Sequence, residues 1–196
     1  DEEQEQEDVL DTKNVPEIEN KSSLFETGTE IMVRAAESLA DEGGMTRLLD
    51  FVNSSLLSTT KADGSAILLV DDFEDVISVK AFSGDFPPPY ELPSDLPHKM
   101  IRVETNFRFG QFPLRDNIFG EIAVSGKPEL VLNPESDQRI FKNGPEDFLK
   151  PGSYIFAPMK LRDTVIGVTA IARKATSNPF TESDFEVAKV LTDFAS

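Results

Sequence analysis

The stretch from Ser153 to Phe194 constrains this chain more than any other. It opens with SYIFAPMK, a short apolar run with Pro158 near its end. After the polar connection Leu161-Arg162-Asp163 it continues as TVIGVTAIARK, rich in Val, Ile and Thr. Such residues suit a pleated, largely buried surface, so the two runs predict a β-hairpin at the centre of a sheet. Asn178-Pro179 breaks the pattern. Thr181 is placed to cap a following helix, with Asp184 at the capping-box position. Phe185, Ala188, Val190, Leu191 and Phe194 give that helix an apolar stripe. Two strands, a turn and an amphipathic helix make one face of a sandwich of helices on an antiparallel sheet.

The other end of the chain is built differently. Residues 1–20 carry nine acidic side chains against Lys13 alone, nearly half of the net charge of -17. A segment so charged and so poor in apolar groups cannot offset its own ordering entropy, which predicts a disordered linker or an acidic interaction tail. Over 21–44, Ser23 and Glu26 fit a capping box. Leu24, Gly28, Ile31, Ala35 and Leu39 form a narrow seam suited either to the chain's own domain or to a second copy, and Gly43-Gly44 closes the helix. Met45, Leu48, Leu49, Val52 and Leu56 mark a second helix. SAILLV and VISVKAF, joined by residues 71–75, read as paired strands.

Residues 83–98 hold Pro87, Pro88, Pro89, Pro93 and Pro97, too many missing donors for a regular element and long enough for a lid or binding loop. Residues 99–115 stand out because Lys99, Arg102, Arg108 and Arg115 face one acid, Glu104, while Phe107, Phe109 and Phe112 interleave. Cations beside aromatic faces can hold an anion and stack a base, and the same residues can equally be core rings and charge balance. Asn117 caps a helix that turns Ile118, Phe119, Ile122 and Ala123 inward and stops at Gly126 and Pro128. Glu129 to Leu132 is a short strand, and residues 134–148 form one or two helical turns.

Ala157-Pro158-Met159, Val165-Ile166-Gly167-Val168, Phe180-Thr181-Glu182-Ser183-Asp184 and GEIAVSGKP from Gly120 to Pro128 together resemble the GAF domain family. That family comprises the small sensor modules of cyclic-nucleotide phosphodiesterases, phytochromes and many bacterial signalling proteins. The resemblance covers residues 45–195. It implies an α+β fold, with an antiparallel sheet of about six strands between helices and an N-terminal helix ahead of it. It implies a regulatory role in which a cavity above the sheet takes a small molecule, a nucleotide or another anion, and terminal helices of a homodimer relay the signal. The attached output would be a cyclase, phosphatase, histidine kinase or cyclic-dinucleotide enzyme. Asp137, Arg139, Phe141 and Tyr154 fall in the region that lines the family's cavity. With Phe107, Arg108, Phe109, Arg115 and Phe119 from the basic, aromatic stretch, they are the candidate ligand-binding residues. The alternative is a dimerisation module whose cavity is filled by Phe side chains.

The sequence also narrows the chemistry. There is no cysteine, so there is no thiolate nucleophile, no disulfide and no bilin anchor, and the sulfoxide reductases of this family depend on cysteines. His98 is the sole histidine, and one histidine without partners does not close a metal or haem site. No phosphate-loop, dinucleotide or nucleophile-elbow motif occurs. The expectation is a cytoplasmic, non-catalytic module without metal or cofactor. Net charge argues against nucleic acid and anionic membranes as partners. The cyclic-nucleotide branch of the family carries an Asn-Lys-Phe-Asp-Glu signature. Phe180 and Asp184 match two of its members, while Phe185 stands where Glu belongs.

Overall fold

The computed structural model describes residues 15–38 and 43–196. Within them a six-stranded antiparallel sheet runs in the order β3-β2-β1-β6-β5-β4. The central hairpin is the one expected: β5 (Pro151–Leu161) and β6 (Thr164–Lys174) pair along their length, turning through Arg162 at φ 58. β1 (Gly64–Asp71) pairs with β6 on one side and β2 (Val76–Gly84) on the other. Two three-residue strands form the edges, β3 (Gln111–Pro113) beside β2 and β4 (Glu129–Val131) beside β5.

Three helices cover one face: α1 (Val15–Ser38), α2 (Gly44–Thr60) and α5 (Glu182–Phe194). Thr181 and Asp184 form the expected capping box at the start of α5. The layer is mainly aliphatic. Ile31, Leu48, Val52, Leu56 and Leu191 meet Ile67, Ile155 and Ile171 of the sheet. The seam of α1 is therefore turned onto its own domain: Ile31 is fully buried, and a Cβ at Gly28 would lie 2.4 Å from the ring of Phe194. Leu39, the last member of the seam, and residues 1–14 of the acidic segment lie outside the described residues.

Three details differ from the sequence reading. Helix α1 starts at Val15, so Ser23 lies within it rather than at its cap, and Pro16 sits in the first turn, where its missing N–H has no partner to lose. Gly43, at φ 87, opens α2, so the glycine pair serves the entry to the second helix. Met45 is exposed instead of joining the stripe of α2.

The opposite face carries α3 (Met100–Arg108), α4 (Ile118–Ser125) and long loops. Its layer is aromatic: Phe82, Phe86, Phe107, Phe119, Tyr154 and Phe156, with Tyr90 and Phe112 at the rim. Lys80 is bulged between Val79, opposite Leu68, and Ala81, opposite Ile67. The extra residue resets the alternation of β2, so Val79 and Phe82 both join the aromatic layer.

Candidate functional site

Phe107 is the hub of the aromatic layer. Its ring centroid lies 5.0 Å from Phe82, 4.9 Å from Phe86, 5.5 Å from Tyr90 and 5.9 Å from Phe119. Tyr154 stacks on Phe156 at 5.4 Å and donates its hydroxyl to the Pro87 carbonyl. Phe107, Phe119 and Tyr154 have no exposed surface, so these three candidates form a packed floor beneath the loops. Burial holds the phenol pKa of both Tyr154 and Tyr90 well above the ordinary value.

Two loops close over this floor. Asn143 straps them together: its Nδ2 donates to Pro88 O and Tyr90 O, and its Oδ1 accepts from Leu92 N–H. Phe141 N–H donates to Pro89 O, and His98 Nδ1 lies 3.2 Å from Glu146 Oε1. The Pro-rich segment, anticipated as a lid, is thus held by side-chain to backbone bonds rather than by a regular element.

Beside the strapped loops lies open space. One cleft of about 660 Å³ is bounded by Leu114, Arg115, Asn117, Glu121, Val124 and Arg139. A second, of about 540 Å³, shares Asp116, Asn117, Gln138 and Arg139 with it and reaches Tyr90 and Phe141. The N-terminus of α4 stands at their common wall. Asn117 caps it by accepting from Gly120 N–H at 2.9 Å, and its Nδ2 donates to Pro113 O and Arg115 O, fixing the turn before the helix. Asp116 in that turn adopts φ 68. Gly120 is required there, because a Cβ would sit 2.3 Å from Leu114 O.

The charges at the clefts are largely spoken for. Arg139 lies 2.7 Å from Asp137 Oδ2, 2.7 Å from Glu129 Oε2 and 3.4 Å from Glu121 Oε1. Hydrogen bonds to Arg139 hold the Asp137 carboxyl below the usual carboxylate range, and Asp137 and Glu129 raise the guanidinium pKa further. Lys142 pairs with Glu135 at 3.3 Å. Among the described residues, the Arg115 side chain makes no hydrogen bond or ion pair, so it is the free cation of the first cleft.

The basic stretch does not converge. Arg108 bonds Glu104 at 2.9 Å, with its guanidinium 5.3 Å from the Phe82 ring centroid, away from both clefts. Lys99 and Arg102 lie on the outer face of α3. Phe109 is 79% exposed and lines a third depression with Tyr90 and Asn106. The structure thus brings Arg115, Asp137, Arg139 and Phe141 to the clefts, seals Phe107, Phe119 and Tyr154 beneath, and sends Arg108 elsewhere. Asn117 and Glu121 join the site without having been named as ligand candidates. The Asn117 cap was legible, but the helix entry's place at a cleft was not. Phe180 and Asp184 have structural work, one buried under Arg173 and the other capping α5. No group of three or more His, Cys, Asp or Glu among the described residues is arranged to hold a metal ion. No described helix is long and apolar enough to cross a membrane.

A family model described as GAF domain matches residues 45–196. The GAF domain of a phosphoenolpyruvate-protein phosphotransferase (ptsP) from Coxiella burnetii is 15% identical, with 88% of this chain and 90% of that chain covered and a TM-score of 0.61. The nlh2 GAF domain of A. aeolicus, solved in an inactive state, is 16% identical, covering 89% and 94%, with a TM-score of 0.60. Free methionine-R-sulfoxide reductase from Neisseria meningitidis, solved with its substrate, is 16% identical, covering 90% and 87%, at 0.58. No curated protein matches. At these identities the structural likeness speaks to fold.

Proposed function

This chain belongs to the GAF domain family, whose members in signalling proteins are regulatory sensor modules, and from that premise we propose that it senses a small anionic molecule. The ligand sits in the paired clefts beside α4. Arg115 meets its charge, and Leu114, Val124 and Phe141 meet its apolar or aromatic part. The single observation behind this reading is that Arg115 is the unpaired cation of the first cleft, where Arg139 is already neutralised. A nucleotide, cyclic or not, and a small carboxylate are the classes to try first. The signal would leave through α1 and α5, which pack on each other on the far side of the sheet. Since Ile31 is used inside the chain, we assign the homodimer contact to the exposed Met32 and Val33 of α1. Met32→Glu with Val33→Glu should then turn a dimer into a monomer in light scattering.

The ligand test is a thermal-shift screen of such anions, followed by calorimetry on Arg115→Ala and Arg108→Ala. A charge-assisted contact contributes about 1.5–3 kcal/mol, so Arg115→Ala should weaken binding roughly ten- to a hundredfold. Arg108→Ala, whose partner is Glu104, should leave binding unchanged. If no anion shifts the melting point, the second reading takes over: a structural GAF module with no ligand. That reading has its own support in the ring-filled layer above the sheet.

A further inference from the structure

Arg115 does not stand alone at the clefts. Asp116, next to it in the chain, lines both of them, and Glu91 lines the second. Among the described residues neither carboxylate has an ion pair or a side-chain hydrogen bond. The other charges are taken. Lys142 has Glu135, and Arg139 has Asp137, Glu129 and, at 3.4 Å, Glu121. Set those groups aside and Arg115, Asp116 and Glu91 remain, a cation with two carboxylates.

That balance is wrong for a simple anion. A carboxylate or phosphate that satisfied Arg115 would lie beside Asp116, and like charges at such range repel. A molecule that also carries an ammonium group turns the repulsion into a second charge-assisted contact. We propose that the anionic group met by Arg115 belongs to a free amino acid, whose ammonium is held by Asp116 with Glu91 behind it. The proposal rests on the sensor reading of the same clefts and narrows it. Leu114 and Val124, beside Arg115, suit an apolar side chain on that amino acid. Discrimination follows from what each analogue leaves unmatched. An α-hydroxy acid brings nothing for Asp116, an amine brings nothing for Arg115, and a nucleotide brings further negative charge toward both carboxylates. Amino acids therefore come ahead of nucleotides among the candidates.

The test is a thermal-shift screen in which each standard amino acid is run beside its α-hydroxy acid, with nucleotides as a third set. Calorimetry on the best pair follows. The amino acid should bind roughly tenfold more tightly than its α-hydroxy acid. Asp116 adopts φ 68, a left-handed conformation that Asn also tolerates, so Asp116→Asn removes the charge and keeps the turn. That variant should weaken the amino acid roughly tenfold and leave the α-hydroxy acid unchanged or tighter, whereas a merely structural role would weaken both alike. Glu91→Gln, away from that turn, should act in the same direction and more weakly. Three results overturn the proposal and leave the sensor reading standing: α-hydroxy acids that bind as tightly as amino acids, nucleotides or α-hydroxy acids that bind where no amino acid does, and an Asp116→Asn effect equal on both members of the pair. A melting point that none of the three sets moves overturns the proposal and the sensor reading together.

Discussion

The two faces of the sheet solve one problem in different ways. The α1, α2 and α5 side buries mainly aliphatic residues between long helices, whose backbone groups bond among themselves. The α3 and α4 side buries rings beneath loops, whose backbone groups need outside partners. Asn143 and Tyr154 supply some of them. Loops cannot present a continuous apolar stripe, so large flat side chains fill the space that helices would have filled. The difference teaches why the clefts lie where they do: they open at the margin of the looped side, next to one short helix.

The sharpest test of the contrast is truncation. Phe107→Ala should lower unfolding free energy by about 3–5 kcal/mol and Leu191→Ala by about 2–5 kcal/mol, both measured in urea. The void left by Phe107 is lined by rings, so indole or benzene should raise the melting point of that variant and not of Leu191→Ala. Equal rescue of both would erase the distinction between the faces.

Next in size is the strap. Asn143→Ala removes three bonds between the loops and should cost about 2 kcal/mol. Hydrogen exchange should quicken at Leu92 and Phe141 and stay slow along β5 and β6. Uniform loss of protection would mean that the looped face does not open by itself.

Alkaline pH attacks the aromatic side alone, because both tyrosines of the chain belong to it. Their folded-state pKa values lie above the ordinary value near 10, so the neutral phenols contribute stability that is whole below that pH and lost as pH climbs above it. Tyrosinate absorbance should therefore rise only together with unfolding. In Tyr154→Phe the alkaline decline should be shallower, with about 1 kcal/mol lost at neutral pH from the abandoned Pro87 carbonyl.

The smallest effect belongs to Asp137→Asn. Its carboxyl is held below the usual range by Arg139, so its contribution is present above about pH 4 and lost as pH falls through the lowered folded value. The variant should be less stable at neutral pH by no more than about 1 kcal/mol, given partial exposure, and should show a flatter acid limb. Acid denaturation curves of the two proteins check this.

Much of this architecture was legible in the sequence because its signals are local. The β5–β6 hairpin follows from β-branched runs around a polar turn, α5 from Thr181 and Asp184, and α4 from Asn117 and Gly126. Helix α3 was missed: Lys99 provides no side-chain cap, and only Val103 and Phe107 are buried on it. The early start of α1 at Val15 was hidden by acidic composition. At the site, Arg115 and Arg139 border one cleft, and Asp137, Arg139 and Phe141 border the adjoining one. The sealing of Phe107, Phe119 and Tyr154 depends on partners far away in the chain. Tyr154 finds Pro87, Asn143 finds Pro88, and Lys80 bulges to send Phe82 inward. No local pattern encodes such pairings.

The brevity of β3 and β4 has a consequence for how this molecule keeps company. Each outer strand offers a neighbour only three residues of backbone, and β3 ends in Pro113, which has no N–H to donate. A passing strand from another chain finds too short a template to zip onto. The two outer strands themselves thus give edge-to-edge pairing little to build on.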